Sequence, residues 1–270
     1  MKSLFKTILF IATITLSLKG LASDGVLITS KSKDLSTNQI TTSNIYLTDS
    51  KLQITNSGAD NSSMIFDAQT EVFTFIDNRK REYYQFDKPT LKQLKEQLMM
   101  MIQMMKQFAS QMPEDQQEKI DKMLNPNSGT IIAYKEIGTS RTGSWNTTNY
   151  QGTSDNQKVL ELNIASFQNL GIAESKFTVM KSLVEFFKEN LQEVAAMLPT
   201  NQAMSTISFD ENSPVLKEGI PIKTTSYESG NSQSETTVEK ITETNIPESQ
   251  FAIPSGYVRK TINMQKAFER

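Results

Sequence analysis

Histidine and cysteine are both absent from this 270-residue chain. Without them there is no Ser-His-Asp or Cys-His nucleophile pair, no imidazole to carry protons near neutral pH, and no zinc site built on imidazole or thiolate. No disulfide can brace the fold, so packing alone must hold it. Carboxylate, hydroxyl, lysine and thioether chemistry remain, and no catalytic spacing of those groups stands in a suitable structural setting. The expectation is a protein without enzymatic turnover and without a cofactor. A basic excess is missing too: 28 Lys and Arg stand against 30 Asp and Glu, a net charge of −2. Nucleic-acid binders need clustered cations to displace counterions, so that class of partner is excluded.

Long apolar runs are confined to the start. "MKSLFKTILFIATITLSLKGLAS" places Lys2 and Lys6 before an apolar run from Thr7 to Leu18, and Gly20-Leu21-Ala22 supplies the small residues of a cleavage site. The run is roughly a dozen residues, short of the ~20 that a spanning helix needs. The reading is a signal peptide over residues 1–22, cleaved after Ala22, and a single domain over 23–270 in the periplasm or outside the cell. Cleavage would remove Lys2, Lys6 and Lys19 and no acid, taking the net charge from −2 to −5.

What the chain does contain is strand-forming sequence. Residues 25–88 are rich in Val, Ile, Thr, Phe and Tyr, with Asp, Asn, Ser and Gly clusters at roughly ten-residue spacing, which predicts an antiparallel meander. "FIDNRKREYYQF" predicts a hairpin turning at Asp77–Lys80. Pro89 then opens a helix over residues 90–112, whose seam is Leu91, Leu94, Leu98, Met101, Met105, Phe108 and Met112. "EDQQEKIDKML" predicts a short second helix before strands resume with "TIIAYKEIG", "SWNTTNYQG" and "QKVLELNIA". A second long helix is expected over 174–198, with Phe177, Met180, Val184, Phe187, Leu191, Val194 and Leu198 as its seam. Strands are expected again in "STISFD", "GIPIKTTSYES", "SETTVEKITETN" and "YVRKTINM". No strand–helix alternation of the parallel kind is visible, so the fold class read from the pattern is α+β, an antiparallel sheet with helices gathered on one face.

Ser30 and Lys33 have the Ser-x-x-Lys spacing of a serine–lysine hydrolase. That motif works on a helix, where i and i+3 share a face; on a strand the two side chains diverge. "LMMMIQMMKQF" (98–108) is more informative, with five methionines in eleven positions. Met99, Met100 and Met104 fall outside the helical seam, Met100 nearly opposite its centre. Three readings compete: packing filler beneath another element, a plastic apolar surface for a lipid, peptide or partner, and a thioether site for Cu(I) at Met100/Met104 and Met101/Met105. Met99, Met100 and Met104 are the candidate ligand-binding residues.

"GIPIKTTSYE" and "TTVEKITETNIPESQFAIPSGYVRK" resemble the end of a family of exported bacterial proteins of unknown function, similar in fold to the lipoprotein carriers (LolA, LolB, RseB). Ile246-Pro247, Phe251, Ile253-Pro254 and Gly256-Tyr257 are the most distinctive positions. "SMIFDAQTEVFTFIDNRKREYYQFD" and "ASFQNLGIAESKFTVMKSLVEFF" match its early strand block and central helix entry. The resemblance implies a strongly curved antiparallel sheet, a half-barrel, with the two long helices packed on its concave face. It implies no catalytic residue. In the carriers the concavity holds acyl chains, so the implied partner is a hydrophobic ligand such as a lipid or lipoprotein acyl chain. An envelope protein, in stress signalling or assembly, is the alternative.

Overall fold

Threonine, serine, valine and isoleucine on alternating positions suit a pleated, half-buried surface, and they build one large sheet. The computed structural model describes residues 22–58, 61–109, 132–195, 213–228 and 230–261, with backbone alone at helical positions 98, 101, 102, 105, 106, 109 and 191–195. The strands are β1 (Ala22–Asp34), β2 (Ile40–Leu47), β3 (Lys51–Gly58), β4 (Ser62–Asp67), β5 (Val72–Asp77), β6 (Glu82–Phe86), β7 (Ala133–Thr142), β8 (Trp145–Ser154), β9 (Gln157–Ala165), β10 (Ile220–Glu228), β11 (Asn231–Pro247) and β12 (Val258–Lys260). Their order across the sheet is β12-β6-β5-β4-β3-β2-β1-β11-β10-β9-β8-β7. The helices are α1 (Lys88–Ala109), the single turn α2 (Phe167–Leu170) and α3 (Thr178–Ala195).

One face, here called the front, carries the apolar core. Val26 and Ile28 of β1, Leu52 and Ile54 of β3, Phe66 of β4, Phe73 of β5, Leu162 and Ile164 of β9 and Ile222 of β10 are all buried. Against most of them pack Phe177, Val179, Leu183, Phe186 and Phe187 from α3 and its entry turn. The rings interlock: Phe66–Phe186 at 5.3 Å, Phe73–Phe187 at 5.1 Å and Phe186–Phe187 at 5.7 Å between centroids. The N-terminus of α1 is set by Asp87, whose Oδ1 accepts from the Thr90 backbone N–H at 2.8 Å, while Pro89 in the first turn needs no intrahelical partner. Hydrogen bonds from the Thr90 hydroxyl and then from its backbone N–H hold the Asp87 carboxyl below its ordinary range.

The back face is covered over β3–β5 by the C-terminal strap. After Ile246 and Pro247 the chain makes a 3-10 turn (Glu248–Phe251), and Ile246 and Phe251 pack with Ile65 and Ile76, flanked by Tyr46, Tyr83 and Tyr257. Gln250 donates to Gln53 Oε1 at 2.5 Å and Tyr257 donates to Asn78 Oδ1 at 3.2 Å. The strap ends in β12, which pairs with β6 in parallel. Thus the "IPESQFAIPSGY" segment acts as a crossover that clamps the sheet from behind.

These observations correct the expected α+β half-barrel with two long helices on its concave face. Strand dominates helix throughout, so the fold is a twelve-stranded mixed sheet with helical accessories, and the sheet is not closed. The expectation of a purely antiparallel sheet fails at β12: after the 3-10 turn the strap crosses behind the sheet instead of reversing, and a strand that arrives by such a crossover pairs with β6 in parallel. The helices also cover less than expected. Only Leu91 and Leu94 of the α1 seam are buried among its described side chains, and Phe108 is 67% exposed. Residues 1–21 of the expected signal segment, the expected helix at "EDQQEKIDKML" and the expected strand "STISFD" lie outside the described residues. Among the described residues no helix is long and apolar enough to cross a membrane.

The β1–β2 turn yields a pH prediction. Asp34 Oδ1 accepts from Ser36 Oγ at 2.6 Å and from the backbone N–H of Ser36 and Thr37, each at 2.8 Å. The Ser36 hydroxyl first, and then the Thr37 amide, lower the carboxyl from 3.8 to about 2. A depressed carboxylate contributes stability that is fully present above the unfolded value and lost as pH falls through the folded one. The Asp34 carboxyl carbon should therefore titrate by NMR with a midpoint near 2, and the stability difference between wild type and Asp34→Ala should shrink between pH 4 and pH 2. A midpoint near 3.8 would mean that the turn does not hold these bonds in solution.

Candidate functional site

Two surfaces stand out. The first is the distal half of α1. This helix touches α3 and β6, and its early turns bury Leu91 and Leu94. Beyond them Met99, Met100, Met104 and Phe108 are exposed by 52%, 58%, 63% and 67%. Met100, Met104 and Phe108 recur every fourth residue and form a stripe along the helix, with Met99 to one side. The structure therefore places all three candidate methionines on the surface and adds Phe108, which the periodicity had assigned to the core. Large apolar side chains gathered on one exposed element mark interaction surfaces more often than chance. The side chains of Met101 and Met105, which the Cu(I) reading pairs, lie outside the described residues. Among the described residues no group of three or more His, Cys, Asp or Glu is placed to hold a metal ion.

The second surface is a groove of about 620 Å³ on the back of β9–β11, lined among others by Arg141, Glu161, Asn163, Lys223, Tyr227 and Glu235. Strand alternation creates it. Ile222 of β10 and Leu162 and Ile164 of β9 point to the core, so their odd-numbered neighbours point to the back. The register aligns Glu161, Thr225 and Glu235 in one row and Asn163, Lys223 and Thr237 in the next. The Glu161 carboxylate accepts from Lys158 at 2.6 Å and from the Tyr227 hydroxyl at 2.8 Å. Lys158 Nζ also lies 4.0 Å from the Tyr227 ring centroid. Partial burial pushes the Glu161 carboxyl up, but the bonds from Lys158 and Tyr227 outweigh it and leave the group below its ordinary range. Lys158 shows the complementary shift: desolvation pulls it down, and Glu161 and Tyr227 raise it above its ordinary value. Lys223 pairs with Glu235 at 2.7 Å.

The pattern behind this groove is present in "LELN", "IKTTSYE" and "SETTVE" as polar residues at alternate positions, but such alternation equally describes any solvated sheet face. The sequence reading named none of its residues. Ser30 and Lys33 are brought into no common site: Ser30 is buried and Lys33 exposed three positions along the same strand.

No protein-family model and no curated protein matches the sequence. The fold has similarity to solved structures at low identity. An uncharacterized conserved protein from Thermus thermophilus shares 8% identity at a TM-score of 0.45, over 90% of this chain and 93% of that one. The Pseudomonas aeruginosa MucA/MucB complex matches with 9% identity at a TM-score of 0.38, over 89% of this chain and 58% of that one. PNGF-II matches with 8% identity at 0.38, over 91% of this chain and 32% of that one.

Proposed function

We propose that the protein is an exported, non-enzymatic binding protein that engages an apolar segment of an envelope protein through the distal half of α1. The observation that carries the reading is the exposure of Met99, Met100, Met104 and Phe108 on one helix, while the space between sheet and α3 is occupied by contacting phenylalanine rings. A carrier that swallows its ligand would present those apolar groups inward. Here they face outward, where flexible and polarizable thioethers can adapt to a partner of irregular shape. The absence of His and Cys supports a binding role over turnover, and the signal-like start supports the periplasm or exterior as its place of action. An acyl chain is the second occupant that such a surface suits, and Cu(I) the third.

The test places a photo-crosslinking side chain at position 100, with position 31 on β1 as control, in the full chain in its native cell. A discrete protein adduct at 100 and none at 31 supports the proposal; a lipid adduct transfers it to the acyl-chain reading. Met99, Met100 and Met104 replaced together by Gln should leave the melting temperature within about 2 °C, because surface substitutions rarely exceed ±0.5 kcal/mol, and should abolish the adduct. If that variant unfolds instead, the three methionines are core and the proposal is wrong. A triple variant that keeps the adduct but loses Cu(I) in a chelator competition would favour the soft-metal reading.

A further inference from the structure

We propose that Met99, Met100 and Met104 form a modification site, at which a peroxide converts the thioethers to sulfoxides and so turns off the docking face of α1. This inference rests on the reading of α1 as that face and adds its regulation. The chain has no cysteine, so no thiol competes for an oxidant and methionine supplies every sulfur atom. Susceptibility to oxidation follows exposure, because the sulfur must meet the oxidant directly. Met99, Met100 and Met104 are the exposed methionines of the distal half of α1, whereas Met64 is 7% exposed and Met180 only partly so. The accessible sulfur among the described side chains is therefore gathered on the surface to which a partner would bind.

The step balances with a peroxide as its one co-reactant. A sulfur lone pair attacks one peroxide oxygen, and the S–O bond forms as the O–O bond breaks. The departing hydroxide takes the proton from the transferred oxygen and leaves as water. Sulfur loses two electrons and the peroxide gains them. The product is a polar, chiral group in place of a flexible apolar one.

On this helix the new oxygen has donors at hand. Gln103 is exposed and lies four residues after Met99 and three after Met100, spacings at which helical side chains meet. Its amide can donate to either sulfoxide, and exposed Gln107 stands three residues after Met104. The oxidised stripe is thus hydrated and paired along the helix, while the reduced stripe offers thioethers and the Phe108 ring. Oxidation here leaves the fold alone. The contacts that anchor α1, buried Leu91 and Leu94 and the Asp87 cap, all precede the stripe, and the core sulfur of Met64 is shielded.

The experiment treats the purified full chain with hydrogen peroxide, removes the oxidant, and then measures sulfoxide at each methionine by fragment-ion mass spectrometry, the melting temperature, and binding of the apolar dye bis-ANS. Oxygen should enter Met99, Met100 and Met104 at least tenfold faster than Met64. The melting temperature should stay within about 2 °C, as for other surface changes, and dye affinity should fall at least fivefold. Methionine sulfoxide reductases A and B with dithiothreitol should restore it, since the chain has no disulfide or thiol for the reductant to alter. A variant with Met99→Leu, Met100→Leu and Met104→Leu should bind the dye equally before and after peroxide. The proposal is overturned if Met64 oxidises as fast as the three, if the reduced chain binds no dye, or if dye binding survives their oxidation. It is equally overturned if peroxide weakens dye binding to the Leu variant as much as to wild type. Crosslinking at position 100 tests the docking reading separately: no adduct there removes the partner, while the peroxide results still decide the modification site.

Discussion

Phe177→Ala should lower the unfolding free energy by about 3–5 kcal/mol, the range for removing a buried aromatic ring. Phe177 is 0% exposed and stands at the last position of the 3-10 turn (Glu174–Phe177) that leads into α3. Its ring lies 5.2 Å from that of Phe167, so it joins the α2 turn to the α3 entry as well as filling the core. The surroundings are sheet on one side and helix on the other, which limits collapse into the vacated space. Urea unfolding of the full chain would measure the loss, with Phe108→Ala as the internal comparison. Phe108 was expected on the same kind of seam but is 67% exposed, and its truncation should fall within about ±0.5 kcal/mol. Equal costs for the two variants would mean that α1 packs along its whole length in solution.

That contrast shows what periodicity can and cannot reveal. A three-and-four spacing identifies the apolar face of a helix, and Leu91 and Leu94 are buried as the spacing predicts. It does not say how far along the helix another element covers that face, and Phe108 is where the cover is missing. In α3 and its entry turn the predicted seam holds in part. Phe177 and Phe187 are buried as the spacing predicts, Val179, Leu183 and Phe186 are buried beside them, and Met180 and Val184 are only partly so. The buried face is wider than one three-and-four seam because the helix lies against a broad sheet. The Asp77–Lys80 hairpin was legible, since turn residues and flanking strands are local signals, and it joins β5 to β6. The parallel seat of β12 was not, because prolines announce a break but not where the chain lands. The groove escaped for a similar reason: Glu161 and Tyr227 meet across 66 residues of sequence, and only long-range register puts them side by side. Strand alternation did dispose of the Ser-x-x-Lys spacing, whose two ends differ in burial as a strand requires.

Long-range register also underlies the second large effect, Gly219→Ala, which should destabilise the chain by roughly 2–6 kcal/mol, the sum of a backbone and a packing cost. Gly219 enters β10 with φ at +154°, and a Cβ built there would stand 2.0 Å from the Ala165 carbonyl oxygen and 2.7 Å from its carbon. Both atoms are backbone, so no side chain can rotate away to make room. A sparsely populated backbone conformation costs about 1–3 kcal/mol for an L residue, and forced overpacking adds about 1–3 kcal/mol. Relief would require β10 to move off the end of β9, breaking the pairing of Ile220 with Ala165. The rows that set Lys223 beside Asn163 and Thr225 beside Glu161 depend on that pairing, so the groove should loosen along with the core. Gly171→Ala separates the two contributions. Gly171 also has positive φ, at +69°, but its Cβ would meet nothing within 4 Å, leaving the backbone cost of about 1–3 kcal/mol alone. Denaturant unfolding of both variants should therefore place Gly219→Ala clearly below Gly171→Ala, and amide exchange should show the added loss of protection in β9 and β10. Equal midpoints would mean that β10 does not pass this close to the end of β9 in solution.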